Sequence, residues 1–183
     1  MPSMGSTNNP APAQTGAQTG EPLKAVSKIG WAAYGLAVLV IALDQLSKYW
    51  ILYVYDLPSR FSTPIAGPFS LTMVWNRGVS FGMFRADVDL MRWALTVFSI
   101  GVAVILAFWV RKAQRPFLGL GLGLVIGGAI GNAIDRIRFG AVVDFLDFQR
   151  LGFFPWVFNV ADSAITVGVV FLLLDSMRKE SAA

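Results

Sequence analysis

Four long apolar stretches, nearly free of charge, constrain this chain more than anything else in it: Ile29 to Leu43, Met91 to Val110, Pro116 to Ile134 and Trp156 to Leu174. A hydrocarbon core about 30 Å thick is crossed by about 20 helical residues, so each stretch is close to spanning length. A mean hydropathy of +0.60 and a charged fraction of 14%, against about 25% in an ordinary soluble domain, agree with that. The sequence therefore predicts an α-helical membrane protein with four transmembrane helices, at about 29–53, 91–110, 116–135 and 156–174, in a single domain over about 23–178. Residues 1–22, rich in Pro, Gly, Ala, Thr, Gln and Asn, read as a disordered polar tail, and 179–183 as a short C-terminal tail. The first apolar stretch follows that tail and exceeds the apolar run of an export signal, so it reads as a retained helix.

The connections carry their own signals. Between about 56 and 90, Phe69 to Trp75 alternates apolar and polar positions behind Pro64, Gly67 and Pro68, which predicts a strand after a turn. Val79 to Phe84 is the expected partner strand, giving a small extracytoplasmic β-sheet. The loop from about 136 to 155 is aromatic towards its end, as suits a membrane interface. Gly119, Gly123, Gly127 and Gly131 repeat every four residues and form one face of the third helix, where a neighbouring backbone can approach closely.

Four crossings put both termini on one side. Basic residues are equally numerous on the two sides, but their density at Arg111, Lys112 and Arg115, beside a short loop, favours cytoplasmic termini. The net charge of +4 comes from dispersed basic residues flanking apolar segments, which suits anionic lipid and argues against nucleic acid.

The chain contains no histidine and no cysteine, which removes Ser-His-Asp and Cys-His catalysis and any imidazole or thiolate metal site. Carboxylates, hydroxyls, amides and a few basic groups remain. Intramembrane carboxylates are expensive and hence functional candidates. Asp44 is expected about 22 Å along the first helix and Asp162 about 9 Å into the fourth, both in the outer half. Asn132, Asp135 and Arg136 end the third helix on that side, and Asn76 and Asp144 fall in outer loops, so the unusual polar groups converge on one leaflet.

Two readings stand for most of them. Asp44 and Lys48, four apart on one helical face, can pair with each other or position substrate. Asn132, Asp135 and Arg136 can cap a helix end or touch substrate, and Asn76 can simply form a turn. Asp162 has no cation one turn away on its own helix. Two carboxylates held close in a low-dielectric site share a proton, which is aspartic-protease chemistry and needs no cofactor or metal. A Ser47-Lys48 dyad is disfavoured because adjacent helical residues point about 100° apart. A small transporter relaying protons through its carboxylates is the alternative, although the inner leaflet lacks ionisable groups for such a path.

Five ordered motifs, DQLSK at 44–48, WNRGVSFG at 75–82, GGAIGNAIDR at 127–136, VVDF at 142–145 and FNVADS at 158–163, closely resemble those of lipoprotein signal peptidase, also called signal peptidase II. The resemblance covers about 30–176. It implies a multi-pass aspartic endopeptidase of the bacterial inner membrane, with four helices, a β-cradle and an active site near the outer leaflet. Its substrates would be diacylglyceryl-modified prolipoproteins, cleaved before the lipidated cysteine, and its inhibitors of the globomycin type. Asp144 and Asp162 match the catalytic dyad. Asp44, Lys48, Asn76, Asn132, Asp135, Arg136, Asn159 and Ala161 match positions that support or line the site. Val79 departs from the small residue usual there, and the polar tail lies outside the usual pattern.

Overall fold

The structure is a computed structural model that describes residues 25–78, 88–153 and 155–180. The tail at 1–22 and the strand expected at Val79 to Phe84 lie outside the described residues. Helix α1 (Lys28–Tyr49) starts at Ser27, whose Oγ accepts from the Gly30 N–H at 2.9 Å and donates to the Ala113 carbonyl at 2.6 Å. One hydroxyl thus caps the helix and ties it to the turn before α4 (Pro116–Phe139). At its other end α1 runs into a wide π turn, Trp50–Val54, closed by the Tyr55 N–H on the Trp50 carbonyl at 2.8 Å. A four-residue helix α2 (Leu57–Arg60) follows, flanked by Asp56 and Phe61 at φ 53° and 61°, and the chain then enters strands β1 (Ser62–Ala66) and β2 (Phe69–Asn76). Helix α3 (Val88–Val110) leads to α4, strand β3 (Val142–Asp147), a short 3-10 turn (Gln149–Leu151), strand β4 (Val157–Phe158) and helix α5 (Val160–Glu180).

Among the described residues four helical segments are long and apolar enough to span a membrane: Lys28–Val54, Asp89–Val110, Pro116–Phe139 and Val160–Arg178. The third is the central one. In its apolar window 72% of residues are buried, against 17–28% in the other three, whose outer faces expose Leu, Val, Ile and Phe side chains suited to lipid. The predicted glycine face explains how α4 takes that place. A Cβ on Gly123 would lie 2.7 Å from the Ala33 carbonyl oxygen, and one on Gly127 2.8 Å from that of Ala37, so α1 packs backbone to backbone along this face. Gly121 and Gly128 do the same on the α5 side, against Gly168 and Ala161.

The four strands form one antiparallel sheet in the order β1-β2-β3-β4, at the end of the bundle where α1 and α4 finish and α3 and α5 begin. The partners of β2 are β1 and β3. β1 contains Pro64, which an edge strand tolerates and which made the segment read as a turn. Asp144 thus sits in a strand where a loop was expected. α5 begins at Val160, later than the expected 156, because Val157 and Phe158 pair with β3. α4 continues past Asp135 to Phe139, stopping at Gly140 with φ 75°. Beneath the sheet, Ile51 and Leu52 from the π turn pack with Leu57, Leu71, Val143 and Phe145 in a small core that fixes the sheet to α1.

Candidate active site

Two clusters of polar side chains meet where the sheet joins the helices. The first centres on Lys48. Its Nζ lies 2.8 Å from Asp44 Oδ2 on the same helix and 2.7 Å from Asp135 Oδ2 on α4, and all three side chains are buried. Gln45 Nε2 donates to both carboxylates, at 3.1 and 3.0 Å. The spare oxygen of each carboxylate pair is used on main chain: Asp44 Oδ1 accepts from the Ala161 N–H at 3.0 Å, and Asp135 Oδ2 also accepts from the Val143 N–H at 3.1 Å. Ala161 and Val143 immediately precede Asp162 and Asp144. One buried ion cluster therefore grips the backbone next to both candidate aspartates, and Gly131 makes room for it, since a Cβ there would lie 2.7 Å from Asp44 Oδ2.

The second cluster holds Asp144 and Asp162. Asp144 stands on β3 opposite Val74, so Asn76, two residues along β2, reaches it diagonally. Asn76 Nδ2 donates to Asp144 Oδ2 at 2.9 Å, while Asn76 Oδ1 accepts from the Gly78 N–H at 2.8 Å, an Asx turn that fixes which end of the amide faces the carboxylate. Gly78 adopts φ 77°, and a Cβ there would overlap Leu95. Asp162 is in the first turn of α5, shallower than the expected two turns. Asn159 caps that helix: its Oδ1 accepts from the Asp162 N–H at 2.9 Å, and Asp162 Oδ2 accepts in return from the Asn159 N–H at 3.4 Å. This is a reciprocal capping box with the acid at its third helical position.

Asn159 also joins the two acids. Its Nδ2 donates to Asp144 Oδ1 at 2.7 Å and to Asn132 Oδ1 at 3.2 Å, and Asn132 Nδ2 donates to Asp162 Oδ1 at 2.7 Å. Among the described residues no cation lies within ion-pair distance of either aspartate; half-buried Arg136, on α4, donates to the Asn132 carbonyl at 3.3 Å and acts on both acids through space. Asp144, outside the spanning segments, is pushed up to about 7, first by burial and then by the charge of Asp162, against the opposing bonds from Asn76 and Asn159. A cavity of about 400 Å³ opens beside Asp144 on the sheet side.

All ten residues singled out from the sequence fall in these two clusters. Sequence reasoning missed Gln45, which links Asp44 to Asp135, and Arg92, whose Nε and Nη2 donate to the Arg136 and Ile137 carbonyls at 2.7 and 2.9 Å and hold the end of α4. Gln45 lay inside a quoted motif, adjacent to Asp44; Arg92 had no local signal.

The model of signal peptidase (SPase) II matches residues 36–178 of this chain. The chain belongs to the signal peptidase II family. It is therefore a peptidase and a multi-pass membrane protein. It is 54% identical over 160 residues to the lipoprotein signal peptidase of Caulobacter vibrioides, covering 87% of this chain and 94% of that one. It is 44% identical over 146 residues to the lipoprotein signal peptidase of Methylorubrum extorquens, covering 79% and 85%. A solved structure described as a bacterial membrane enzyme superposes with a TM-score of 0.71 at 26% identity, over 88% of this chain and 96% of the other. The transporter alternative finds no support among these signal peptidase II relatives.

Proposed function

We propose that this signal peptidase II removes the signal peptide from diacylglyceryl-modified prolipoproteins, cutting before the lipidated cysteine, with Asp144 and Asp162 sharing one proton and activating water. The observation that carries this is Asn159, whose single side chain bonds Asp144 and caps the helix turn that holds Asp162. Neutral amides on every side leave the acids free to exchange a proton, which a paired cation would oppose.

Burial favours the proton on Asp144. Asp162, the more open acid, takes a proton from the water as it attacks the scissile carbonyl, while Asp144 gives its proton to the developing oxyanion. The resulting diol collapses: Asp162 passes its new proton to the leaving amine, Asp144 recovers one from a diol hydroxyl, and the carbon–nitrogen bond breaks. The products are a signal peptide ending in a carboxylate and a mature chain beginning with the amine of the lipidated cysteine, and the dyad is restored. No metal or cofactor is required.

In this reading Asp44, Lys48, Asp135 and Ala161 hold the main chain beside the dyad. Asn76, Asn132 and Asn159 orient the carboxylates, and Arg136 offsets negative charge. The enzyme works in the bacterial inner membrane with both termini cytoplasmic, its site near the outer leaflet and its substrate's lipid chains in the bilayer. It acts as a monomer, since every group invoked comes from one chain, and globomycin-type cyclic peptides inhibit it. The test is cleavage of a lipidated and an unlipidated precursor by wild type, Asp144→Asn and Asp162→Asn in detergent. Cleavage of the lipidated form by wild type alone is expected; full cleavage by either variant overturns the dyad.

A further inference from the structure

The cavity beside Asp144 is lined by residues that the dyad chemistry leaves unused. Besides Asp144 and Asn76 its wall includes Trp75 and Arg77 from the end of β2, Gln149 from the 3-10 turn, and Trp156 ahead of β4. None of these six belongs to a spanning segment. Its volume, about 400 Å³, is within the range of ligand sites, roughly 300–1,000 Å³, and suits a few residues of extended peptide. Trp75 is 44% exposed and packs edge-on against Phe139, and Trp156 is 65% exposed, so two indoles rim the cavity at the border between lipid and water.

Arg77 supplies the chemistry. It is exposed, and no carboxylate among the described residues forms an ion pair with it. Gln149 Nε2 is held by the Pro155 carbonyl at 3.0 Å, which leaves its side-chain oxygen as an acceptor for a peptide N–H. An acyl chain has no use for a guanidinium and two amides. The apolar signal helix, which must lie among the spans, has no reason to enter a chamber outside them. Of the two aspartates only Asp144 reaches the cavity wall, so the chamber extends from one side of the reacting bond, the side facing water.

Resting on the dyad reading, we propose that this chamber holds the first residues after the lipidated cysteine, and that Arg77 makes it favour an acidic side chain among them. The site then contacts the substrate on both sides of the cut: lipid and signal helix within the bilayer, mature chain against the sheet. An exposed charge pair contributes about 0.2–1 kcal/mol, so replacing attraction by repulsion changes the rate by roughly twofold to tenfold.

The experiment compares lipidated precursors identical except for Asp, Asn or Lys at the second or third residue after the cysteine, tested one position at a time. The full chain is reconstituted in phosphatidylcholine nanodiscs, with and without phosphatidylglycerol, and kcat/KM is measured for wild type and Arg77→Glu. At one of the two positions wild type should favour Asp over Lys by roughly twofold to tenfold, with Asn between, and Arg77→Glu should reverse the order. Equal Asp-to-Lys ratios in the two proteins at both positions overturn the proposal. So does a loss in Arg77→Glu that is uniform across precursors and confined to phosphatidylglycerol discs, which would mark a lipid headgroup as the occupant. Asp144→Asn run alongside separates the two readings: if it cleaves, the dyad fails whatever the ratios.

Discussion

The Lys48 cluster and the Asp144–Asp162 pair lie at the same end of the bundle, each built on two carboxylates, and they differ in what answers the charge. Asp44 and Asp135 share the ammonium of Lys48, and each also accepts a main-chain N–H. Asp144 and Asp162 meet the neutral side chains of Asn76, Asn132 and Asn159. A carboxylate locked to a cation is a structural part, because moving its proton would strand a buried charge. One held by amides keeps its geometry in either protonation state, which acid–base catalysis requires. Neighbouring acids thus divide into fixture and reagent according to their partners.

Removing the reagent should have the largest effect. Asp144→Asn and Asp162→Asn are expected to lower the cleavage rate by about a thousandfold or more, within the range of losses for acid–base groups acting together, while the folded protein remains monodisperse in detergent. Residual cleavage within tenfold of wild type would erase the distinction between the clusters.

Breaking the fixture should act on stability first. Lys48→Met leaves two buried carboxylates without their cation and is expected to cost about 3–5 kcal/mol by denaturant unfolding in detergent. Converting all three residues together, in Asp44→Asn/Lys48→Met/Asp135→Asn, should recover much of that loss, because no uncompensated charge remains. If the triple variant is no more stable than Lys48→Met, the Coulombic account of the cluster fails.

The comparison sharpens further with pH. Asp144 is raised from 3.8 to about 7, so between those values the folded state binds a proton that the unfolded chain has released. Its burial therefore costs nothing below about pH 4, and the cost grows as pH rises towards 7. At 1.36 kcal/mol per unit the full penalty is about 4 kcal/mol. Asp144→Asn should accordingly be more stable than wild type at pH 8, by up to that amount less what the altered amide contacts lose, and show no such gain at pH 4. Wild-type cleavage should fall as pH rises past about 7, because Asp144 then no longer carries the proton it donates. A rate that keeps climbing to pH 9 would contradict that role.

The smallest effect belongs to the opposite end of the molecule. Ser27→Ala removes the cap of α1 and its bond to Ala113, at a cost of about 1 kcal/mol, and should leave cleavage within twofold of wild type. A large loss of activity would mean that the far end of α1 governs the site.

Much of the fold was legible because spanning helices write themselves as long apolar runs, and the glycines of α4 because a four-residue repeat marks one helical face. Strand pairing was not. β2 alternates clearly, but its partner β3 is short, buried along nearly its whole length and carries two aspartates, so it reads as a loop until the sheet is seen. The candidate residues stood out by elimination and by motif, whereas their partners did not. Nothing in the sequence says that Lys48 reaches across to Asp135, or that Arg92 holds the last carbonyls of α4, since such contacts join positions far apart in the chain. Asn159 is the instructive miss: Asn-Val-Ala-Asp has the spacing of a capping box, but the apolar residues before it made the helix seem to start earlier.

The π turn at Trp50–Val54 has a consequence for how this architecture tolerates change. A turn closed over five residues is an ordinary helix carrying one inserted residue, and that insertion directs both Ile51 and Leu52 inward. Deleting a single residue there would let α1 continue in regular register and swing everything beyond it by about 100° around the axis. β2 would then leave β3, and Asn76 would leave Asp144, with no catalytic side chain altered. Chain length at this one turn is as strict a requirement for the enzyme as the identity of its acids.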